Sequence, residues 1–350
     1  MLRELTILVL VLNAGLLFFA NLKTAAILLI LLAIFVYSLK RTYSHIIGKE
    51  LSYLAARLAQ LMPAILAIYI LIFIFGNLGI KDLIPFYAAT CLAITPSLLP
   101  LILGAKVSRS ESKIGLFRAT RILRCLLGSM GAQLFLILIG LIGLFGFHLL
   151  PAITIPQLVA LQFMIALPLM ALSFDKSPHK LLQATDHNFR VHTTSKKSFK
   201  SYLGYGFVTA LIAYANFFLL FARHNLNPYY LDPSLPLYKQ ATTLALATLI
   251  ICLFLNIIFE RVEKHEFFIN EHTLENKKLL KTFGFSTIVL VVIIYAPYLQ
   301  DVFNTQPLSA IDWLTVLGAG MLYISARMTK RHTRKHSRHA VIKLHKQLNS

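Results

Sequence analysis

The side chains most able to do chemistry in this sequence are uncharged and lie within long apolar segments. Such residues either hydrogen-bond to a neighbouring helix or bind a polar solute inside a membrane, and we expect each one, taken singly, to bond a neighbouring helix. Every Asp and Glu falls in a connector or at a helix end, so no buried carboxylate marks an ion path. The neutral residues are Asn13, Thr95, Ser97, Ser129, Gln133, Gln162, Asn216 and Asn256.

Prolines interrupt two of these apolar segments. Pro96 and Pro100 are four residues apart in one segment, and Pro168 lies in another. Because proline has no amide hydrogen, the carbonyl four residues before it loses its helical partner, which frees the carbonyls of Leu92, Pro96 and Met164. In hydrocarbon each freed carbonyl needs a side chain, a water, or a bound ion or polar solute. The pattern fits either a transporter-like binding region or kinks satisfied by Ser and Thr.

A substrate-binding region is the interpretation that joins the prolines to the neutral polar residues. Its predicted members are Thr95, Pro96, Ser97, Pro100, Ser129, Gln133, Gln162 and Pro168.

Motifs of catalytic centres are missing from the sequence. It has no glycine-rich phosphate loop, no His-Glu-x-x-His, and no Ser or Cys nucleophile with a suitable partner. We therefore predict no catalytic residue, no metal site and no cofactor, and the protein is not expected to be an enzyme. Cys91, Cys125 and Cys252 are interpreted as small packing residues. A group of glutamates is expected to lie on solvated faces beside Lys and Arg: Glu260, Glu263, Glu266, Glu271 and Glu275.

The elements that position these residues follow from composition. Hydrophobic residues make up 57% of the 350 positions and charged residues only 14%, which is too little charge to cover a soluble domain. Because a helix needs about 20 apolar residues to cross a bilayer, the pattern predicts an all-α, polytopic membrane helix bundle. The predicted transmembrane domain covers residues 1–326, and its ten helices are 5–21, 23–40, 58–79, 83–105, 125–149, 156–174, 202–222, 241–259, 282–299 and 309–326.

Positive charge is distributed unevenly between the connectors. With these helices, 30 of the 34 Lys and Arg residues fall on one side of the membrane, and only Lys23, Lys81, Arg223 and Lys239 fall on the other. This bias predicts that both termini are cytoplasmic and that the protein is a multi-pass protein of the cell membrane. The same placement argues against a nucleic-acid partner, despite the net charge of +20.

A basic cytoplasmic tail, residues 327–350, follows the last helix. Positive charge beside a spanning helix attracts anionic lipid, so membrane lipid is the predicted partner of the tail. His332 and His336 have a metal-ligand spacing, but the surrounding Arg and Lys favour a topology anchor. A protein partner or a homo-oligomer is also possible. The cytoplasmic connectors are each shorter than the roughly 50 residues of a small domain.

Several segments, in order along the chain, resemble those of the cation-transporting P-type ATPases. Residues 93–100, followed by 103–106, are similar to the fourth helix of that family, with its Ile-Pro-Glu-Gly-Leu-Pro and Leu-Gly-Ala-Arg. Residues 118–131 resemble the stalk and start of the fifth helix, and 158–175 resemble the sixth, with its Asp-Gly-Leu-Pro-Ala. Residues 295–313 are similar to the hairpin of the ninth and tenth helices. The resemblance implies a ten-helix bundle that includes the C-terminal region of these pumps.

The chain lacks the parts that drive those pumps. The family has an actuator domain where this chain has only residues 41–57, and phosphorylation and nucleotide domains where it has only 107–115. The Asp-Lys-Thr-Gly phosphorylation motif is absent. The resemblance therefore implies a catalytically silent protein that cannot hydrolyse ATP by the mechanism of the family.

The ion ligands of the family are replaced as well. The helix-four Glu corresponds to Ser97, and the helix-five Asn and Glu correspond to Ser129 and Ala132. The helix-six Asn, Thr and Asp correspond to Leu161, Met164 and Ile165. A shift of one residue would bring in Gln133 and Gln162 but no carboxylate, so tight binding of a divalent cation is not expected.

These observations predict a stripped ATPase-like membrane domain with a transport-related role that is ATP-independent or driven by a partner. Two alternatives remain open. One is a non-transporting scaffold or regulatory subunit, and the other is the membrane half of a split ATPase.

Overall fold

The fold is given by a computed structural model, and the chain is described in the following parts: residues 11, 113–147, 150–172, 196–229, 232, 234–261 and 276–348. The first four predicted helices lie outside the described residues, apart from the single residue Val11. The predicted site residues Thr95, Pro96, Ser97 and Pro100 also lie outside them, as does Cys91.

Helices account for almost all of the described chain, and no β-strand occurs within it. The helices are α1 (Lys113–Phe147), α2 (Ile155–Ala171), α3 (Lys196–Arg223), α4 (Pro236–Arg261), α5 (Lys277–Tyr295), α6 (Pro297–Phe303) and α7 (Ala310–Leu348). The predicted all-α class is confirmed for this part of the protein.

Three of the described helical segments are long and apolar enough to cross a membrane: Ser201–Arg223, Pro236–Arg261 and Lys277–Tyr295. Two shorter apolar segments, Arg124–Gly140 and Ile155–Ala171, lie in α1 and α2. The protein is therefore a helical membrane protein.

Helix boundaries differ from the predicted apolar spans, mostly by extension. The first helix α1 begins at Lys113 rather than residue 125, and α7 continues through the basic tail to Leu348. Apolarity marks the part of a helix that faces hydrocarbon, whereas the backbone hydrogen bonds continue into polar sequence. The predicted helix 282–299 differs in another way, because α5 ends at Tyr295 and α6 starts at Pro297.

Pro297 explains this break. The residue before a proline is disfavoured in the α conformation, and Ala296 has the extended angles φ −82° and ψ 118°. A proline also fits the first turn of a new helix, where its missing amide hydrogen leaves no bond unmade. The chain therefore turns at Ala296 and forms the short helix α6.

Glycine allows α1 and α3 to pack closely. A Cβ added at Gly206 of α3 would lie 2.5 Å from the backbone nitrogen of Ala132 and 2.7 Å from the carbonyl oxygen of Gly128, both on α1. Small residues that bring two backbones together are typical of helix contacts in membranes, where lipid is as apolar as the helices. This close contact fixes the position of the polar side chains that α1 carries.

The outer surfaces of α5 and α7 are apolar and exposed. Ile288 is 63% exposed on α5, and Leu314 and Met321 are 65% and 70% exposed on α7. Their opposite faces contribute Leu290, Ile294 and other side chains to the buried core. Large exposed apolar faces on long helices are what a bilayer requires of its protein surface.

Candidate functional site

Three of the predicted site residues meet between α1 and α2. Gln162 on α2 donates from Nε2 to Oε1 of Gln133 on α1. Gln133 in turn donates from Nε2 to Oγ of Ser129, one turn earlier on α1, at 3.1 Å. The result is a hydrogen-bonded chain of two amides and one hydroxyl.

All three side chains are buried. Gln133 has no exposed surface, and Ser129 and Gln162 are 4% and 7% exposed. Buried amides are costly unless they are hydrogen-bonded, which explains why the two glutamines face each other. Because an amide offers both an acceptor oxygen and two donor hydrogens, the same groups could instead bind a polar solute.

Pro168 lies six residues beyond Gln162 on α2, about 9 Å along the helix axis. The Met164 carbonyl, which this proline frees, accepts a hydrogen bond from the Ser286 hydroxyl of α5 at 2.8 Å. The expected need for a new partner is confirmed, and a serine supplies it. Within the described residues, the kink at Pro168 is therefore satisfied by a serine, and the Met164 carbonyl is not open to a ligand.

Of the five positions in α1 and α2 that the family resemblance aligns with ion ligands, four are apolar and the fifth is Ser129. Ala132 and Leu161 have no exposed surface, and Met164 and Ile165 are 2% and 3% exposed. In the described part of the chain, no three His, Cys, Asp or Glu side chains lie close enough to hold a metal ion. The polar groups between these two helices are therefore neutral.

The interhelical role predicted for two asparagines is confirmed. Asn216 of α3 donates to the Thr248 hydroxyl of α4 at 2.8 Å. Asn256 of α4 accepts from the Tyr323 hydroxyl of α7 at 3.1 Å. Each asparagine links α4 to a neighbouring helix, and neither of these hydrogen bonds involves Ser129, Gln133 or Gln162.

Cys125 and Cys252 are buried and free, in agreement with their predicted packing role.

The expectation that Glu260 lies on a solvated face is wrong. Its side chain is only 8% exposed, and Oε1 accepts from Nη2 of Arg327 at 2.8 Å. Oε2 accepts from the Tyr202 hydroxyl at 3.1 Å and lies 3.9 Å from Nη1 of Arg124. The glutamate is at the end of α4, where three other helices enclose it. Five side chains from these four helices form the inner charged cluster: Arg121, Arg124, Tyr202, Glu260 and Arg327.

The opposite end of the same bundle has a second buried carboxylate. Asp312 has no exposed surface and accepts from Arg223 of α3 at 2.8 Å and from Gln240 of α4 at 2.9 Å. It also accepts from the backbone nitrogen and the hydroxyl of Ser309, which caps α7. Sequence analysis placed Asp312 only at a helix end, and the pairing depends on residues 89 and 72 positions away.

Gln157 is a further polar residue that the sequence analysis did not single out. Its Nε2 donates to the Thr242 hydroxyl of α4 at 3.0 Å and to the Asn304 carbonyl at 2.9 Å. Its Oε1 accepts from the Thr154 backbone at 3.1 Å, at the start of α2. A glutamine in the first turn of an apolar helix is the signal that could have identified it.

The fold and the buried polar contacts define a helical membrane protein with a neutral interhelical site and a charged cluster at each end of its bundle. Residues 151–331, slightly more than half of the chain, match the family described as "Cation transporting ATPase, C-terminus". The chain therefore belongs to the cation-transporting ATPase family, through its C-terminal membrane region. No curated protein matches the chain.

Proposed function

We propose that the protein is a catalytically silent relative of the cation ATPases that moves a polar solute through the membrane without hydrolysing ATP. The observation that carries this proposal is the buried chain of Ser129, Gln133 and Gln162 between α1 and α2. These are neutral groups at a place where the family resemblance implies ion ligands. A protein partner would supply energy, or movement would follow the gradient of the solute.

Catalytic silence is supported by the internal gaps in the sequence. Only residues 107–115 stand where the family has its phosphorylation and nucleotide domains, and the Asp-Lys-Thr-Gly motif is missing. Without an aspartate to phosphorylate, the energy-coupling step of that mechanism has no acceptor.

The neutral chemistry of Ser129, Gln133 and Gln162 limits which kind of solute can bind. A divalent cation loses a large hydration energy on entering the site, and two amides and a hydroxyl cannot replace it without a carboxylate. A monovalent cation or an uncharged polar molecule needs less compensation and can exchange hydrogen bonds with the amides.

We further propose that the protein lies in the cell membrane, with ten spanning helices and both termini in the cytoplasm. The two ends of the bundle support the sidedness of four of these helices. Arg124, Glu260 and Arg327, all predicted to be cytoplasmic, gather at one end. Arg223, predicted to be external, pairs with Asp312 at the other end. Protease protection of N-terminal and C-terminal tags in inside-out vesicles tests this topology.

In this topology the basic tail faces anionic lipid of the inner leaflet. Nucleic acid is not proposed as a partner.

A second candidate function is a non-transporting scaffold or regulatory subunit. The hydrogen bond from Ser286 to the Met164 carbonyl favours this function, because the carbonyl freed in α2 already has a partner within the protein and needs no ligand. The two glutamines also satisfy each other without a ligand. In this case the family fold persists as a platform for another membrane protein.

Flux through proteoliposomes distinguishes the two functions. The wild-type protein is reconstituted, and entry of rubidium, sodium and protons is followed with and without a gradient. The transport proposal expects Gln162→Leu to reduce flux at least tenfold, with Ser325→Ala, at an exposed hydroxyl on α7, as the matched control. If the wild type moves none of these cations, or Gln162→Leu equals it, cation transport through this site is excluded and the scaffold is favoured. ATP hydrolysis by the purified chain alone would contradict catalytic silence.

A further inference from the structure

Three aromatic residues lie at the end of the bundle where Asp312 pairs with Arg223. Tyr295 is the last residue of α5, Tyr298 lies in α6, and Trp313 is in the first turn of α7. Tyr298 is 80% exposed and Tyr295 is 43% exposed. Because each of these side chains joins an apolar ring to a polar atom, they suit a boundary between hydrocarbon and water. We call Tyr295, Tyr298 and Trp313 the aromatic patch.

Hydrogen bonds fix two of the three rings. The Nε1 of Trp313 donates to the Tyr295 hydroxyl at 2.9 Å, and that hydroxyl donates to the Leu308 carbonyl at 2.8 Å. The polar atoms of both rings are thus bonded within the protein, and both rings keep part of their surface exposed. The pair is held by α5, by α7 and by the connector before α7, so its level in the bundle is fixed.

On one side of the aromatic patch the surface of the bundle is apolar. Towards the middle of α5, Val292 and Ile288 are 45% and 63% exposed. Towards the middle of α7, Leu314 and Met321 are 65% and 70% exposed. Exposed apolar side chains of both helices begin within one turn of the aromatic patch. The surface that faces hydrocarbon therefore continues up to the patch.

On the other side of the aromatic patch the surface carries charge. Asp301 of α6 is exposed, and Arg223 is 29% exposed where it pairs with Asp312. The helix α6 is held at this level by Leu299 and Phe303, which pack against the core. Charged groups are costly in hydrocarbon, so the level at which they reach the surface lies outside it. The aromatic patch therefore separates an apolar surface from a charged one.

We propose that the aromatic patch binds the glycerol and carbonyl region of the phospholipids at one face of the membrane, and so fixes the depth of the bundle. Tyrosine and tryptophan are enriched at this level of membrane proteins, because their rings are apolar and their tips are polar. A second copy of the chain fits less well, because the patch begins where the hydrocarbon-facing surface ends and stops where charge begins. The proposal requires only that the chain is a membrane protein and is independent of the proposed transport.

The full chain contains its own depth probe, because Trp313 is the single tryptophan of the sequence. The purified protein is reconstituted into phosphatidylcholine vesicles whose acyl chains carry bromine either near the glycerol or near the chain end, and tryptophan fluorescence is measured. Half of a hydrocarbon core is about 15 Å, so the Trp313 ring is expected about 15 Å from the centre of the bilayer. At that depth the shallow bromines should quench roughly twice as strongly as the deep ones.

A relocated tryptophan is the matched control. The double variant Trp313→Phe with Met321→Trp moves the probe about 12 Å along α7, to a position that is 70% exposed. There the deep bromines should quench more strongly than the shallow ones. If the deep bromines also quench Trp313 more strongly, the patch lies inside the hydrocarbon and the proposal is wrong. If neither bromine quenches Trp313, protein covers the patch and the proposal is equally wrong, and quenching that appears when the protein is diluted in lipid would identify a second copy as the cover.

Tyr298→Ala tests whether the aromatic patch acts as an anchor. Because Tyr298 is 80% exposed, thermal unfolding of this variant in detergent should be unchanged. With one ring fewer at the boundary, the ratio of shallow to deep quenching of Trp313 should fall towards equality. Leu317→Ala, at an exposed residue within the apolar surface of α7, is the control and should keep the wild-type ratio. A wild-type ratio in the Tyr298 variant would show that the apolar helices alone set the depth, which contradicts the anchoring role.

Discussion

Arg327 of α7 donates from Nη2 to Oε1 of Glu260 of α4 at 2.8 Å, and both side chains are almost completely buried. The Arg327 guanidinium also lies 3.6 Å from the centre of the Tyr205 ring on α3. One side chain of α7 thus contacts two other helices at the level where the apolar part of α7 ends. The pair fixes the position of α7 against the bundle, and the basic extension of the helix starts directly after it.

Removing the carboxylate from this pair should destabilise the fold strongly. Glu260→Gln leaves the Arg327 charge buried without a counter-charge, and breaking a buried pair in this way costs about 3–5 kcal/mol. The measurement is the free energy of unfolding in detergent, or the melting temperature where unfolding is irreversible. Asp232→Asn, at an exposed loop carboxylate, is the control and should have no measurable effect. The double variant Glu260→Gln with Arg327→Gln should lose less than the sum of the single losses.

Close packing of α1 and α3 should make Gly206 intolerant of any side chain. Gly206→Ala would bring its Cβ to 2.5 Å from the Ala132 nitrogen, so the helices must separate, at a cost of about 1–3 kcal/mol. Gly318→Ala is the matched control, because, apart from its own stretch of α7, no atom of the described residues lies within 4 Å of the added Cβ. Equal melting temperatures for the two variants would contradict the close contact.

Ser286 should matter only while Pro168 is present. Ser286→Ala removes the donor to the Met164 carbonyl and should cost about 1–3 kcal/mol, the penalty for an unsatisfied buried acceptor. Pro168→Ala restores an amide hydrogen four residues after Met164, so the serine substitution should cost much less in that background. Ser325→Ala, whose exposed hydroxyl donates to its own helix, is the control. A loss that is the same in both backgrounds would show that the serine acts elsewhere.

Much of the architecture could be predicted because it depends on local pattern. Apolar length identified the described helices other than α6, and Asn216 and Asn256 were recognisable as polar residues that need a partner across a helix contact. Pro168 predicted which carbonyl would be freed. Each of these inferences uses residues within a few turns of one another, where helical geometry is fixed by the chain itself.

The partners themselves could not be predicted, because they are set by which helices pack together. Ser286 is 122 residues from Met164, and Arg327 is 67 residues from Glu260. The glutamate was expected to be solvated because its sequence neighbours are charged. Its burial follows from α1, α3 and α7 meeting at the end of α4, which a single sequence does not reveal.

The pairing of Gln133 with Gln162 provides the last prediction. Replacing Gln162 alone by Leu leaves the Gln133 oxygen buried without its donor, which should cost about 1–3 kcal/mol. Replacing both by Leu removes both polar groups, so the double variant should be more stable than the sum of the single losses implies. Thermal unfolding of the two single variants and the double variant gives this coupling, and strictly additive losses would contradict the contact. The double variant then separates structure from transport. If it is as stable as the wild type and loses its flux, the amides bind the solute, whereas unchanged flux would leave them only a structural role.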